Sequence, residues 1–101
     1  MNKKKFGNAR YVTRGIKSCL GFYEQNLFWR LIDELNVDHD YLQVFKLSCS
    51  EEGTTILHKQ EEPSYAKEYK LRTSLLDKKA EDTIFVIDNG EYSTMMFANE
   101  Y

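Results

Sequence analysis

Residues Gly21–Leu35 read GFYEQNLFWRLIDEL, and the reading of this stretch decides the fold. At about 100° per residue, Leu20, Leu27, Phe28, Leu31, Ile32 and Leu35 fall on one side of a helix. Asn26, Arg30 and Asp33 fall on the other. This is the pattern of a helix that buries one stripe against a globular core. Glu24 lies within the stripe, and its place in the first turn explains it: a carboxylate there meets free N–H groups and the positive end of the helix dipole. On the flank and polar face, Trp29 and Arg30 are the helix's candidates for contact with a partner, with Trp29 expected in sheet packing.

Around this helix the chain reads as strands. Arg10–Arg14 alternates polar and apolar residues and predicts a first strand, closed by Gly15. Ile16–Leu20 is read as a crossing to the helix, with Ser18 or Gly21 as its cap. Asn36, Asp38 and Asp40 supply turn chemistry after the helix. Tyr41–Leu47 predicts a second strand, with Tyr41, Gln43, Phe45 and Leu47 on one face and Leu42 and Val44 on the other. Both faces are therefore apolar, as expected if one packs on the helix and the other is partly covered. Glu51-Glu52-Gly53 turns the chain into a third strand, Thr54–His58.

Beyond the break at Gln60–Pro63, a strand is expected from about Glu68 to Arg72, and Ser74–Asp82 reads as a charged loop or short helical turn. Thr83–Ile87, TIFVI, is the strongest strand signal and predicts a central strand. Asp88-Asn89-Gly90 fits a type I′ hairpin leading into Tyr92–Phe97. The expectation is α+β: one long N-terminal helix packed on a mainly antiparallel sheet of about five or six strands. Residues 1–101 are read as one domain, with 1–8 expected to fray.

Composition bounds the function. Of 101 residues 42% are hydrophobic and 14% aromatic, enough to bury a core, so intrinsic disorder is excluded. The longest apolar run, Ile84–Ile87, is too short to span a bilayer, and the basic Met1–Lys5 is followed by no signal-peptide pattern. Cys19 and Cys49 lie far apart and make no metal spacing. They read as reduced, partly buried thiols of a cytoplasmic protein.

His39 between Asp38 and Asp40 reads as a solvated loop rather than a metal site, and His58 as a surface or hairpin-pairing residue. No catalytic, phosphate-cradling or redox motif is present. The expectation is a protein that is not an enzyme and needs no metal or cofactor.

The net charge of −2 argues against a general nucleic-acid binder. The charge is polarised, however. Lys3, Lys4, Lys5, Arg10, Arg14 and Lys17 lie near the start, and acids collect further on. Clustered carboxylates on a small rigid domain can imitate a nucleic-acid backbone and occupy a basic channel of a partner. The candidate partner-binding residues are Glu51, Glu52, Glu61, Glu62, Glu68, Glu81 and Asp82.

Several segments together resemble a family of small, uncharacterised cytoplasmic proteins of Gram-positive bacteria and their mobile elements. They are Arg10–Gly15 (RYVTRG), Trp29–Glu34 (WRLIDE), Asp40–Ser48 (DYLQVFKLS), Ile84–Gly90 (IFVIDNG) and Ser93–Met96 (STMM), in order over nearly the whole chain. The family usually has Pro where Gly21 stands. One branch is similar to small anti-CRISPR proteins that inhibit the type II-A CRISPR effector nuclease. That resemblance implies a stoichiometric inhibitor, a monomer or weak dimer that binds the effector without touching nucleic acid and blocks guide RNA or target DNA. The effector's channels are strongly basic, which gives the acidic residues a physical role. The alternative is a housekeeping interaction module, binding nucleic acid through Lys3, Lys4, Lys5, Arg10 and Arg14.

Overall fold

The computed structural model describes residues 5–76 and 80–101. The elements run β1 (Ala9–Val12), α1 (Arg14–Cys19), α2 (Phe22–Asp33), β2 (Leu42–Ser50), β3 (Gly53–Gln60), β4 (Tyr65–Leu71), β5 (Glu81–Asp88) and β6 (Tyr92–Phe97), with a final 3-10 turn at Ala98–Glu100. The strands form one six-stranded sheet in the order β1-β6-β5-β2-β3-β4. Every pairing is antiparallel except that of β1 with β6. The expected α+β architecture holds, with β5 and β2 at the centre of the sheet.

Helix α2 begins where its stripe begins. Gly21 is the cap, and the Glu24 carboxylate accepts a hydrogen bond from the Gly21 N–H at 3.0 Å, so the acid in the stripe serves the helix start. The buried face carries Phe28, Trp29, Leu31 and Ile32. Phe28 meets Phe45 of β2 edge-on, with ring centroids 5.0 Å apart, which locks the helix onto the central strands. Ile56, Ile84, Val86 and Met95 complete the same core from the sheet.

Three expectations about the N-terminal third need correction. The crossing Ile16–Leu20 lies largely within α1, a short helix capped by Thr13, whose Oγ1 accepts from the Ile16 N–H at 3.3 Å. Ser18 is inside it and donates back to the Arg14 carbonyl. The first strand accordingly stops at Val12 rather than Arg14, because Thr13 leaves the sheet to cap. Residues 5–8 are not frayed. Phe6 is fully buried, and the Asp88 carboxylate accepts from the Phe6 N–H at 2.8 Å and from the Asn8 side chain at 3.0 Å. Lys3 and Lys4 lie outside the described residues.

Later elements differ in detail. Strand β4 starts at Tyr65, three residues before the expected Glu68, because every residue from Tyr65 to Leu71 pairs with β3. Of the Ser74–Asp82 loop, Glu81 and Asp82 belong to β5, and residues 77–79 lie outside the described residues. The β5–β6 connection is not a type I′ turn. Gly90 has φ +99°, but Asn89 does not share that conformation. The Asn89 side-chain oxygen instead accepts from the Glu91 and Tyr92 N–H groups at 3.0 Å, so the side chain shapes the loop.

Candidate interaction surfaces

The seven candidate carboxylates do not form one patch. Ser50 pairs with Gly53, so Glu51 and Glu52 are the two residues of the β2–β3 turn, both exposed. Gly53 is required there: its φ is +140°, and a Cβ would lie 1.9 Å from the Leu71 carbonyl oxygen. Strand β5 runs antiparallel to β2, which sets Glu81 opposite Ser48 and Asp82 opposite Leu47. Glu51, Glu52, Glu81 and Asp82 thus share one end of the sheet.

Glu61 and Glu62 lie in the β3–β4 turn at the other end, beside Asp40, whose Oδ2 accepts from the Glu62 N–H at 3.0 Å. The nine residues of β2 separate the two ends by roughly 30 Å. Glu68 stands alone between them, exposed on edge strand β4 opposite Leu57.

The basic start of the chain is partly committed to structure. The Arg10 guanidinium lies 4.8 Å from the centre of the Trp29 ring, donates from Nη1 to Asp33 at 3.2 Å and from Nε to the Phe6 carbonyl at 3.0 Å. Arg10–Asp33 is the single salt bridge among the described residues. Arg10 therefore bolts the N-terminal segment to α2. Trp29, as expected, is packed inside. The exposed aromatics of α2 are instead Phe22 and Tyr23, which the periodicity of the helix did not single out.

His58 is not a surface residue. It is fully buried, stacked on Phe45 with centroids 4.3 Å apart and edge-on to Tyr65. Its Nε2 lies 2.7 Å from the Gln43 side-chain oxygen; the Gln43 amide donates to the Gln60 Oε1 at 2.7 Å and to the Asp40 carbonyl at 3.0 Å. Gln60 in turn donates to the carbonyls of Asp38 and Pro63, both at 2.8 Å. Because the Gln43 nitrogen is spent on those two acceptors, its oxygen faces the imidazole and His58 donates from Nε2.

The other ring nitrogen, Nδ1, has no partner among the described residues. Burial, reinforced by the nearby His39, lowers the His58 pKa to about 4, so the ring is neutral at physiological pH. His39 is half-buried, its Nε2 2.6 Å from the Ile32 carbonyl, and is less solvated than its acidic neighbours suggest. Among the described residues, no group of three His, Cys, Asp or Glu side chains gathers as metal ligands do. Cys19 is exposed, Cys49 is buried, and both are free thiols.

Among the described residues, no helix lies on the second face of the sheet. Leu42, Val44, Leu57, Phe85, Ile87 and Met96 point to it and are each only half-buried. Tyr11 and Tyr92 meet edge-on at one side of it, and Tyr101 lies over Phe85 with centroids 6.0 Å apart. Tyr11 remains 56% and Tyr92 41% exposed. No described helix is long and apolar enough to cross a membrane.

Residues 9–100 match the family model described as "Staphylococcal protein of unknown function (DUF960)". No curated protein matches the chain. Among solved structures, the crystal structure of a protein of unknown function from Enterococcus faecalis is similar at 24% identity and a TM-score of 0.80, over 100% of this chain and 98% of that one. This likeness shows that the fold is shared.

Proposed function

Taking as premise that the chain belongs to this staphylococcal family of unknown function, we propose that it works by binding a protein partner in the bacterial cytoplasm, without turnover, as an inhibitor of a type II-A CRISPR effector nuclease. The observation that supports this reading is the acidic end of the sheet. The hairpin turn presents the Glu51 and Glu52 carboxylates, and β5 starts beside it with Glu81 and Asp82. Two pairs of carboxylates on neighbouring, hydrogen-bonded strands resemble the closely spaced charge of a nucleic-acid backbone. Such an array is steered into a basic guide or target channel. The Glu61–Glu62 turn, roughly 30 Å away along the strands, is too far to join the same contact and is a separate, weaker contributor.

The test is capture of the effector nuclease by immobilised protein, with and without pre-loaded guide RNA. The Glu51→Lys/Glu52→Lys double variant is expected to lose capture and inhibition while its melting temperature stays within a degree or two, as exposed turn positions allow. Capture unchanged by this reversal excludes the charge-mimicry mechanism. Failure of the unmodified protein to bind the effector at all excludes the partner.

A further inference from the structure

Strands β2 and β5 are apolar on both sides. Phe45, Leu47, Ile84 and Val86 face the helices, while Val44 and Phe85, paired to each other, face away. A one-layer antiparallel sheet normally alternates apolar-in with polar-out, and strands apolar on both sides belong to sheets covered on both sides. Among the described residues, what reaches over this face is the Tyr101 ring beside Phe85, and that ring is itself 85% exposed.

We propose that the open face is a two-fold interface, and that its occupant is a second copy of this chain. The argument for a second copy is the way apolar and charged groups are distributed over the face. The midline of the six strands runs between β5 and β2, along the apolar pairs Val44–Phe85 and Leu42–Ile87. To one side, β2, β3 and β4 carry Lys46, Lys59 and Lys70, with one acid, Glu68, among them opposite Leu57. To the other, β5 carries Glu81 at its start, opposite Ser48, while β6 and β1 carry no charge on this face and present the rings of Tyr92 and Tyr11.

A two-fold axis parallel to the strands lays each half on the opposite half of the partner. The lysines of one copy then meet the tyrosine half of the other, and the two lysine sets do not meet. Apolar pairs meet apolar pairs at the centre. Six strands about 4.8 Å apart and about six residues long present roughly 500 Å² in projection. Side-chain relief brings this towards the approximately 800 Å² per partner of a stable dimer. Stacking the two sheets yields a β-sandwich flanked by the helices of each copy. The contact leaves the Glu51–Glu52 turn at its end free, with Glu81 at the rim of the face beside Ser48, and its test is separate from that of the inhibitor reading.

The experiment is sedimentation velocity on the full chain across micromolar concentrations, with two variants. The unmodified protein is expected at twice the chain mass of 12.0 kDa. Val44→Lys, at the centre, is expected to sediment as a monomer. Tyr11→Asp, on the exposed edge strand where folding tolerates it, is expected to weaken association at least about tenfold with an unchanged far-UV spectrum. A wild-type monomer throughout the range overturns the proposal. A dimer that survives Tyr11→Asp at full affinity overturns the placement on this face, whether or not Val44→Lys folds.

Discussion

The two faces of the sheet are made by the same six strands and by neighbouring residues, yet they meet different demands. The covered face combines Phe45, Ile84, Val86 and Met95 with the polar seam Gln43–His58–Gln60, and all of these are buried. The open face has apolar residues at its centre, tyrosines on one side, and lysines with Glu68 on the other. The polar groups are thus distributed against intuition: the helix-covered side hides an imidazole and two amides, and the uncovered side is greasy. A hydrogen-bonded seam costs little when each amide finds a partner, and it fixes the β2–β3 register and the loop at Asp38–Asp40.

The sharpest way to break this contrast is to cut the covered face. Phe45→Ala removes the ring on which both Phe28 and His58 pack, and should cost about 3–5 kcal/mol in a denaturant titration. A loss under about 1 kcal/mol would mean that the helix is held elsewhere.

Next in size is the pH dependence of His58. Its folded pKa, lowered to about 4, lies below the unfolded value of 6.5, so the unfolded chain takes up the proton first. Stability should be intact above about pH 6.5 and fall as pH drops towards 4, by up to about 3 kcal/mol, before levelling off. Urea titrations between pH 7 and 4 should show this slope, and it should vanish in His58→Gln. A slope that persists in the variant assigns the titration to another group.

The smallest effect belongs to the open face under dilute, monomeric conditions. Leu57→Thr there should cost less than about 1 kcal/mol in the same titration, because the side chain is only half-buried. A cost comparable to Phe45→Ala would mean that the open face is as much a core as the covered one.

The sequence made the covered face legible through long periodic signals. The helix stripe from Leu20 to Leu35, the TIFVI strand and the acidic turn before Gly53 all stand where periodicity and turn chemistry put them. Short or non-local features escaped it. Helix α1 spans six residues, too few for a 3.6-residue period to show, although Thr13 followed three residues later by buried Ile16 is the trace it leaves. His58 is in phase with buried Ile56 and Gln60 on β3, a signal available once that alternation is followed past Leu57. The grouping of Glu81 and Asp82 with Glu51 and Glu52 depends on the pairing of β2 with β5, some thirty residues apart, which no local pattern encodes.

The parallel pairing of β1 with β6 has a consequence for the order in which the chain assembles. Ala9 pairs with Tyr92, so β1, made before β2 to β6, is among the last of these strands to find its place. As the chain leaves the ribosome, the β2–β3 hairpin can close on itself at once, while β1 waits for a neighbour about eighty residues further on. Closing so large a loop is entropically slow, and the pairing forms only after the rest of the sheet offers a template. The sheet therefore cannot be completed until β6 has been made, and during that wait β1 lacks its strand partner and Phe6 lacks Asp88, which accepts from its N–H.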